Sequence, residues 1–243
     1  MTKDEEQRSP STLLRAVSLS NGRWTFYEDA KVISFDLDGT LVTDVFSQIV
    51  WHQGIPELYA KKHGRGLDEV KSFIFKEYSK VGDKTIEWYD INYWLQFFDL
   101  DCNWEILFRK FKGSIDIYPE VPEVLSSLSK NYQLIITSNA AREFLNTEIE
   151  ATNIATYFDH IFSATSDFKE VKKTKDFYLK ICNLLHITPD QIIHVGDHFE
   201  FDYLTPKKLG IRSFYLDRKG EKKGPNILKD LKEFEKKLKK MNS

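Results

Sequence analysis

The chain has 243 residues, with 35 Lys or Arg against 37 Asp or Glu, a formal charge of −2. That balance suits a globular protein and leaves no basic field to draw in nucleic acid. No apolar run approaches the roughly 20 residues that span a bilayer, and Met1–Pro10 carries no signal-peptide stretch, so neither a membrane nor a secretory route is expected. Only Cys102 and Cys182 occur, far apart and without metal-ligand spacing; both read as reduced thiols of a cytoplasmic protein.

In chain order, residues 1–20 read as a flexible polar tail, followed by an Asn21-Gly22 turn and a short strand at Arg23–Tyr27. Lys31–Phe35 reads as a buried strand running into Asp36-Leu37-Asp38-Gly39-Thr40. From Phe46 to Ile115 strand alternation is lacking, while Trp51, Tyr59, Phe73, Tyr78, Trp88, Trp94, Phe98 and Phe108 recur at largely helical spacings. This predicts an inserted all-helical subdomain whose aromatic residues serve chiefly as its own core. Pro119 and Pro122 then open a helix through Val124, Leu125 and Leu128.

Four further apolar runs follow at helix-length intervals. They are Tyr132–Ile136 ending in Thr137-Ser138-Asn139, His160–Ser163, Gln191–Val195 ending in Gly196-Asp197, and Ile211–Leu216 ending in Asp217. Between them, Thr174 or Asp176 caps a helix carrying Tyr178, Ile181, Leu184 and Leu185. A last helix places Leu228, Leu231, Phe234 and Leu238 on one face, with solvated lysines opposite. The fold class is therefore α/β: a Rossmann-like parallel sheet built from residues 21–45 and 116–243, with a helical cap over 46–115.

Ligands of such sheets bind beyond the carboxyl ends of the strands. Four polar clusters fall at those ends or at a nearby helix start: Asp36/Asp38/Thr40, Ser138/Asn139, Lys172/Lys173 and Asp197/Asp202. Singly, each has a plain structural explanation. Asp-Gly makes turns, Ser138-Asn139 can cap a helix, and Asp202 can sit on the surface. Together at strand ends they mark a site. His198 has no partner histidine at ligand spacing and reads as a loop residue.

These residues resemble the motifs of the haloacid dehalogenase-like superfamily, in its order. Asp36-Leu37-Asp38-Gly39-Thr40 matches its D-x-D-G-T, Leu134–Ser138 its apolar strand ending in Ser or Thr, and Gly196-Asp197 with Asp202 its closing acidic motif. The third motif, Lys-Pro followed by an aromatic residue, is imperfect. Counting back from Asp197 makes Tyr178 the aromatic and favours Lys172 over Lys173, with no proline after either.

The resemblance implies a Mg²⁺-dependent phosphatase like the phosphoglycolate phosphatase-type members with a helical cap. Asp36 would be the nucleophile, forming an aspartyl-phosphate, and Asp38 the general acid and base. Mg²⁺ would be held by Asp36, Asp197 and the Asp38 backbone carbonyl. Ser138, Asn139 and the lysine would bind the substrate phosphate, supported by Thr40 and by Asp202, which would orient a metal-bound water or the lysine. The chemistry is coherent: a doubly negative phosphate monoester repels an attacking carboxylate unless cations screen it.

Asp38 argues against a dehalogenase, which needs no acid two residues after the nucleophile. A phosphonatase would require a cap lysine for a Schiff base, and a phosphomutase would retain every core residue. A silent binding protein on the same fold should have lost Asp36, Asp38 or Asp197, and all three are present. The expected substrate is a small phosphorylated metabolite, and the expected assembly a monomer or homodimer.

Overall fold

The computed structural model describes the backbone of residues 15–20 and 23–27 and all of residues 30–241. β1 (Arg15–Ser20) pairs antiparallel with β2 (Arg23–Tyr27). The tail predicted to run through residue 20 thus gives way to a strand from Arg15, where pairing with β2 satisfies backbone groups. The predicted Asn21-Gly22 turn lies outside the described residues.

The remaining strands form one parallel sheet. They are β3 (Val32–Phe35), β4 (Gln133–Ser138), β5 (His160–Ser163), β6 (Ile192–Gly196), β7 (Arg212–Leu216) and β8 (Ile227–Leu228), in spatial order β5-β4-β3-β6-β7-β8. β3 and β6 are buried along their whole length, as parallel strands covered on both faces are, which is why they read as apolar runs interrupted only by Ser34 and His194. The chain builds outward from β3 to β4 and β5, then crosses to β6 on the other side. That reversal makes the carboxyl end of β3 a topological switch point, where a crevice opens.

Helices fill the gap between β3 and β4. α1 (Val45–Ile49) runs through a π-helical stretch at Val50–Gly54 into α2 (Ile55–His63), followed by α3 (Leu67–Val81), α4 (Ile91–Phe97) and α5 (Trp104–Phe111). Side-chain caps start the last two: Asp90 accepts from the Asn92 and Tyr93 amides, and Asn103 from that of Ile106. Their apolar faces bury Phe46, Ile74, Trp94, Phe98 and Phe108 in a cluster completed by Phe144 of the core. Each such side chain contributes roughly 1.5–3 kcal/mol on burial. The insertion leaves and returns on a shared stem, where Thr43 N–H donates to Asp116 O at 2.9 Å and Tyr118 N–H to Leu41 O at 3.1 Å.

The core helices are α6 (Val121–Leu128), α7 (Arg142–Thr152), α8 (Ala164–Phe168), α9 (Lys175–Leu185), α10 (Thr205–Lys207) and α11 (Leu231–Met241). Thr174 caps α9 by accepting from the Phe177 amide. Leu228 does not belong to the last helix, contrary to its predicted place. It lies in β8, where its carbonyl accepts from the Asp217 amide at 2.7 Å. Asp230, accepting from Glu233 N–H at 2.8 Å, stops the helix from extending back to it. No described helix is long and apolar enough to cross a membrane.

Candidate active site

Asp36 is the first residue beyond β3, and its amide still donates to Val195 O of β6 at 3.0 Å. The Lys173 ammonium donates to Asp36 Oδ1 at 2.5 Å and to Thr137 O at 3.3 Å, and it pairs with Asp202 Oδ1. All three charged side chains are buried. The Lys173 backbone is fixed as well, since its N–H donates to Asn139 Oδ1 at 2.7 Å.

The lysine at Asp36 is therefore Lys173, not Lys172 as the motif count favoured. Lys172 Nζ instead pairs with Asp83 of the insertion at 2.6 Å and lies 5.0 Å from the Phe201 ring centroid. Thr174 starts α9 immediately afterwards, which fixes the turn and sends the two neighbouring lysines in different directions.

Asp202 stands in a π-helical stretch at Phe199–Leu204. Its Oδ2 accepts from His198 N–H at 2.9 Å, while Oδ1 faces His194 Nε2 at 3.1 Å. His194 Nδ1 in turn meets Ser34 Oγ at 2.9 Å, and Ser34 meets Thr137 Oγ1 at the same distance. Beneath the charges thus lies a satisfied polar network. Two glycines permit the close packing above it. A Cβ on Gly39, whose φ is +71°, would fall 2.1 Å from Asp197 Oδ2, and one on Gly196 would fall 2.4 Å from Asp202 Cγ.

The electrostatics follow from this packing. Burial pushes the Asp36 carboxyl well above its usual range, and Lys173 offsets only part of that. Burial would also raise Asp202, but Lys173 and His194 outweigh it and hold the group well below the usual range. Lys173 itself is held above its usual value, because the two carboxylates overcome its own desolvation. Asp197 is exposed to the cavity, yet enclosure by the walls, followed by repulsion from Asp202, raises it to about 7. Burial brings Asp38 to about 6.

Asp38 Oδ1 and both oxygens of Glu148 are buried without a hydrogen-bond partner within bonding distance among the described residues. The two carboxyls are near enough to perturb each other, and burial with the Asp38 charge drives Glu148 well above its usual range. Sequence reasoning missed Glu148. The available signal was its place on the apolar stripe of α7, in register with Leu145 and Ile149.

Arg218 was missed too. It clamps the loop after Asp36 by donating to Gly39 O at 3.1 Å and Thr40 O at 2.6 Å, while pairing with Glu120 at 2.8 Å. The buried Thr40 hydroxyl has no partner among the described residues. Ser138 Oγ accepts from Ala140 N–H at 3.0 Å, so it also shapes the loop. His198 caps the Asp202 stretch by accepting from Phe201 N–H at 3.3 Å, in keeping with a loop role.

One oxygen from each of Asp36, Asp197 and Asp202 lies within 4.8 Å of the others. The donors are hard carboxylates and their crowding favours a cation, so they fit Mg²⁺. Both oxygens of Asp202 already serve Lys173, His194 and the His198 amide. Asp36 and the exposed Asp197 are the freer ligands. Above them lies a cavity of about 410 Å³, lined by Asp36, Asp38, Ser138, Asn139, Lys173, Asp197 and Asp202 from the core and by residues of the insertion.

A family model described as haloacid dehalogenase-like hydrolase matches residues 30–210. The GMP/IMP nucleotidase YrfG of Escherichia coli is 22% identical over 173 residues, covering 70% of this chain and 76% of its own. The N-acylneuraminate-9-phosphatase of Rattus norvegicus is 23% identical over 83% of this chain and 72% of its own, and the phosphoglycolate phosphatase of Aquifex aeolicus 26% identical over 69% and 76%. Among solved structures, a HAD phosphatase from Thermococcus onnurineus superposes with a TM-score of 0.75, at 24% identity, over 86% of this chain and 97% of its own. At that identity the superposition establishes the fold alone.

Proposed function

The chain belongs to the haloacid dehalogenase-like hydrolases, and from that premise we propose that it is a Mg²⁺-dependent phosphatase of a small phosphorylated metabolite, with Asp36 as nucleophile. One observation carries the reading: the Asp36 carboxylate is held at the cavity floor by Lys173, at 2.5 Å, among Asp38, Asp197 and Asp202. The three relatives named above are each called a phosphatase or nucleotidase of a small metabolite, which agrees with it.

In this mechanism Asp36 attacks phosphorus, and the bond from phosphorus to the ester oxygen breaks, leaving an aspartyl-phosphate. Asp38 delivers its proton to the departing alkoxide. A group titrating near 6 is partly protonated at neutral pH and so has that proton to give. The resulting Asp38 carboxylate then takes a proton from water, which attacks the aspartyl-phosphate and frees Asp36 with inorganic phosphate. Lys173 offsets negative charge on the transferring group, and Ser138 and Asn139 border the space that group enters. Asp36, Asp197 and the Asp38 backbone would hold Mg²⁺, which when bound screens the repulsion between phosphate and carboxylate.

The test is phosphate release from a panel of small phosphorylated metabolites with Mg²⁺, by the wild type and by Asp36→Asn. Turnover that vanishes in the variant supports the reading. A panel without any turnover, or a purified variant keeping more than about a tenth of the rate, overturns it.

A further inference from the structure

The cavity floor is charged, but its upper wall has a different character. Trp51, Tyr78, Trp88, Tyr89 and Trp94 of the insertion line it, together with Phe144 of α7. The rings brace one another: Trp51 stacks on Phe144 at 5.3 Å and 26°, and Tyr78 stands edge-on to both Trp51 and Trp94. Trp51, Trp88 and Tyr89 are only half-buried. Surface on these rings remains for a ligand.

Three polar tips of this wall are engaged already. Tyr78 OH donates to Trp51 O, Tyr89 OH to Asp83 O, and Trp94 Nε1 to Trp88 O, each at 3.3 Å. On the same side, Gln48 Nε2 donates to Asp44 Oδ2 at 2.8 Å and Ser47 Oγ to Asp44 O at 3.0 Å. A leaving group rich in hydroxyls would lose its water here and find fewer replacement partners than at the charged floor, a penalty that disfavours it. A flat ring loses little water and gains contact with ring faces.

Resting on the phosphatase reading, we propose that this wall selects phosphate monoesters whose leaving alcohol carries a planar aromatic ring, seated against Trp51 and Trp88. The cavity lies within the size range of small-molecule sites, with room for a phosphate and one ring system.

Two substrate pairs separate the ring from the rest of the ester. A nucleoside 5′-monophosphate and ribose 5-phosphate share their leaving alkoxide and differ in the base. Benzyl and cyclohexylmethyl phosphate differ mainly in ring planarity. The aromatic member should lead in kcat/KM by about tenfold in at least one pair, the scale of one stacking contact. A lead in the first pair alone identifies a nucleobase as the ring, and a lead in the second alone a small aryl alcohol. Trp51→Leu or Trp88→Leu, checked by thermal melting, should shrink that lead to less than about threefold through KM.

Equal or faster turnover of ribose 5-phosphate and cyclohexylmethyl phosphate overturns the ring proposal while sparing the phosphatase. If no ester is hydrolysed, the phosphatase reading fails instead. Quenching of tryptophan fluorescence by the free nucleoside or benzyl alcohol then decides the ring site, and no quenching overturns it.

Discussion

Replacing Lys173 by Met tests the site most sharply, because the change removes a charge while nearly keeping the shape. Lys173 Nζ stands 2.5 Å from Asp36, and the side chains of Lys173 and Asp202 are 1% and 0% exposed. At an effective dielectric near 20, a unit pair at that distance attracts by roughly 6–7 kcal/mol before desolvation. Losing one partner of such a buried cluster should cost about 3–5 kcal/mol of folding stability. The loss has a pH signature. Lys173 lowers the folded-state pKa of both Asp36 and Asp202, so without it both rise relative to wild type. The folded variant then binds more protons than the folded wild type, so its stability relative to wild type falls as pH rises and recovers as pH falls. The gap to wild type should be widest near pH 7 and narrow toward pH 5, read by urea unfolding in excess chelator. In parallel, kcat should fall by about 10²–10³, the scale for one charge-stabilising donor. Lys172→Met is the control: its partner Asp83 is 55% exposed, so stability should move by less than about 1 kcal/mol. A larger loss in Lys172→Met than in Lys173→Met, in both stability and kcat, would refute the reasoning.

Asp36→Asn should abolish turnover yet melt at or above the wild-type temperature, since the amide relieves a buried carboxyl already pushed above its usual range; a fall of more than about 5 °C would contradict this. Chelation should stop phosphate release and Mg²⁺ restore it, whereas Ca²⁺, with longer and more numerous bonds, should restore it poorly; full activity in excess chelator rejects the metal's role. Arg218→Ala, which frees the Gly39 and Thr40 carbonyls and strands Glu120, should cost about 2–3 kcal/mol in urea unfolding and lower kcat. Glu148→Leu should leave stability within about 1.5 kcal/mol but reduce kcat, because Asp38 loses the carboxyl beside it; unchanged kcat would exclude Glu148 from the chemistry.

The sheet was legible because parallel strands covered on both faces are predominantly apolar, and β3, β4 and β6 carry that mark in Ile33, Leu134, Ile135 and Ile193. The carboxylates were legible because they follow those strands directly. What stayed hidden depends on contacts distant in sequence. Lys172 and Lys173 are the same residue type in adjacent positions, and only the bond from Lys173 N–H to Asn139 Oδ1 and the Thr174 cap distinguish them. Leu228 fitted a helical stripe equally well, until pairing with β7 made it a strand. Among the aromatics, the sequence spacing cannot separate a ring that fills the insertion's core, such as Phe108, from one that also borders the cavity, such as Trp94. Both are buried at the same spacing, and only the fold of the insertion against α7 divides them.

The two lysines divide two tasks that a buried, charged site must reconcile. On the proposed phosphatase reading, such a site works only if its groups are already aimed before substrate arrives, while substrate would enter beneath the insertion. Polar contacts between insertion and core are peripheral: Lys172 with Asp83, Asn92 with Glu143 at 3.1 Å, and Lys112 with Glu150 at 3.3 Å. Exposed pairs of this kind are each worth about 1 kcal/mol or less, so parting them is inexpensive. The Lys173 cluster is anchored entirely within the core, through Asn139, Thr137, Asp36 and Asp202. An opening of the insertion about its stem at Thr43 and Asp116 would therefore break Lys172's contact and leave every charge on the cavity floor where it stands.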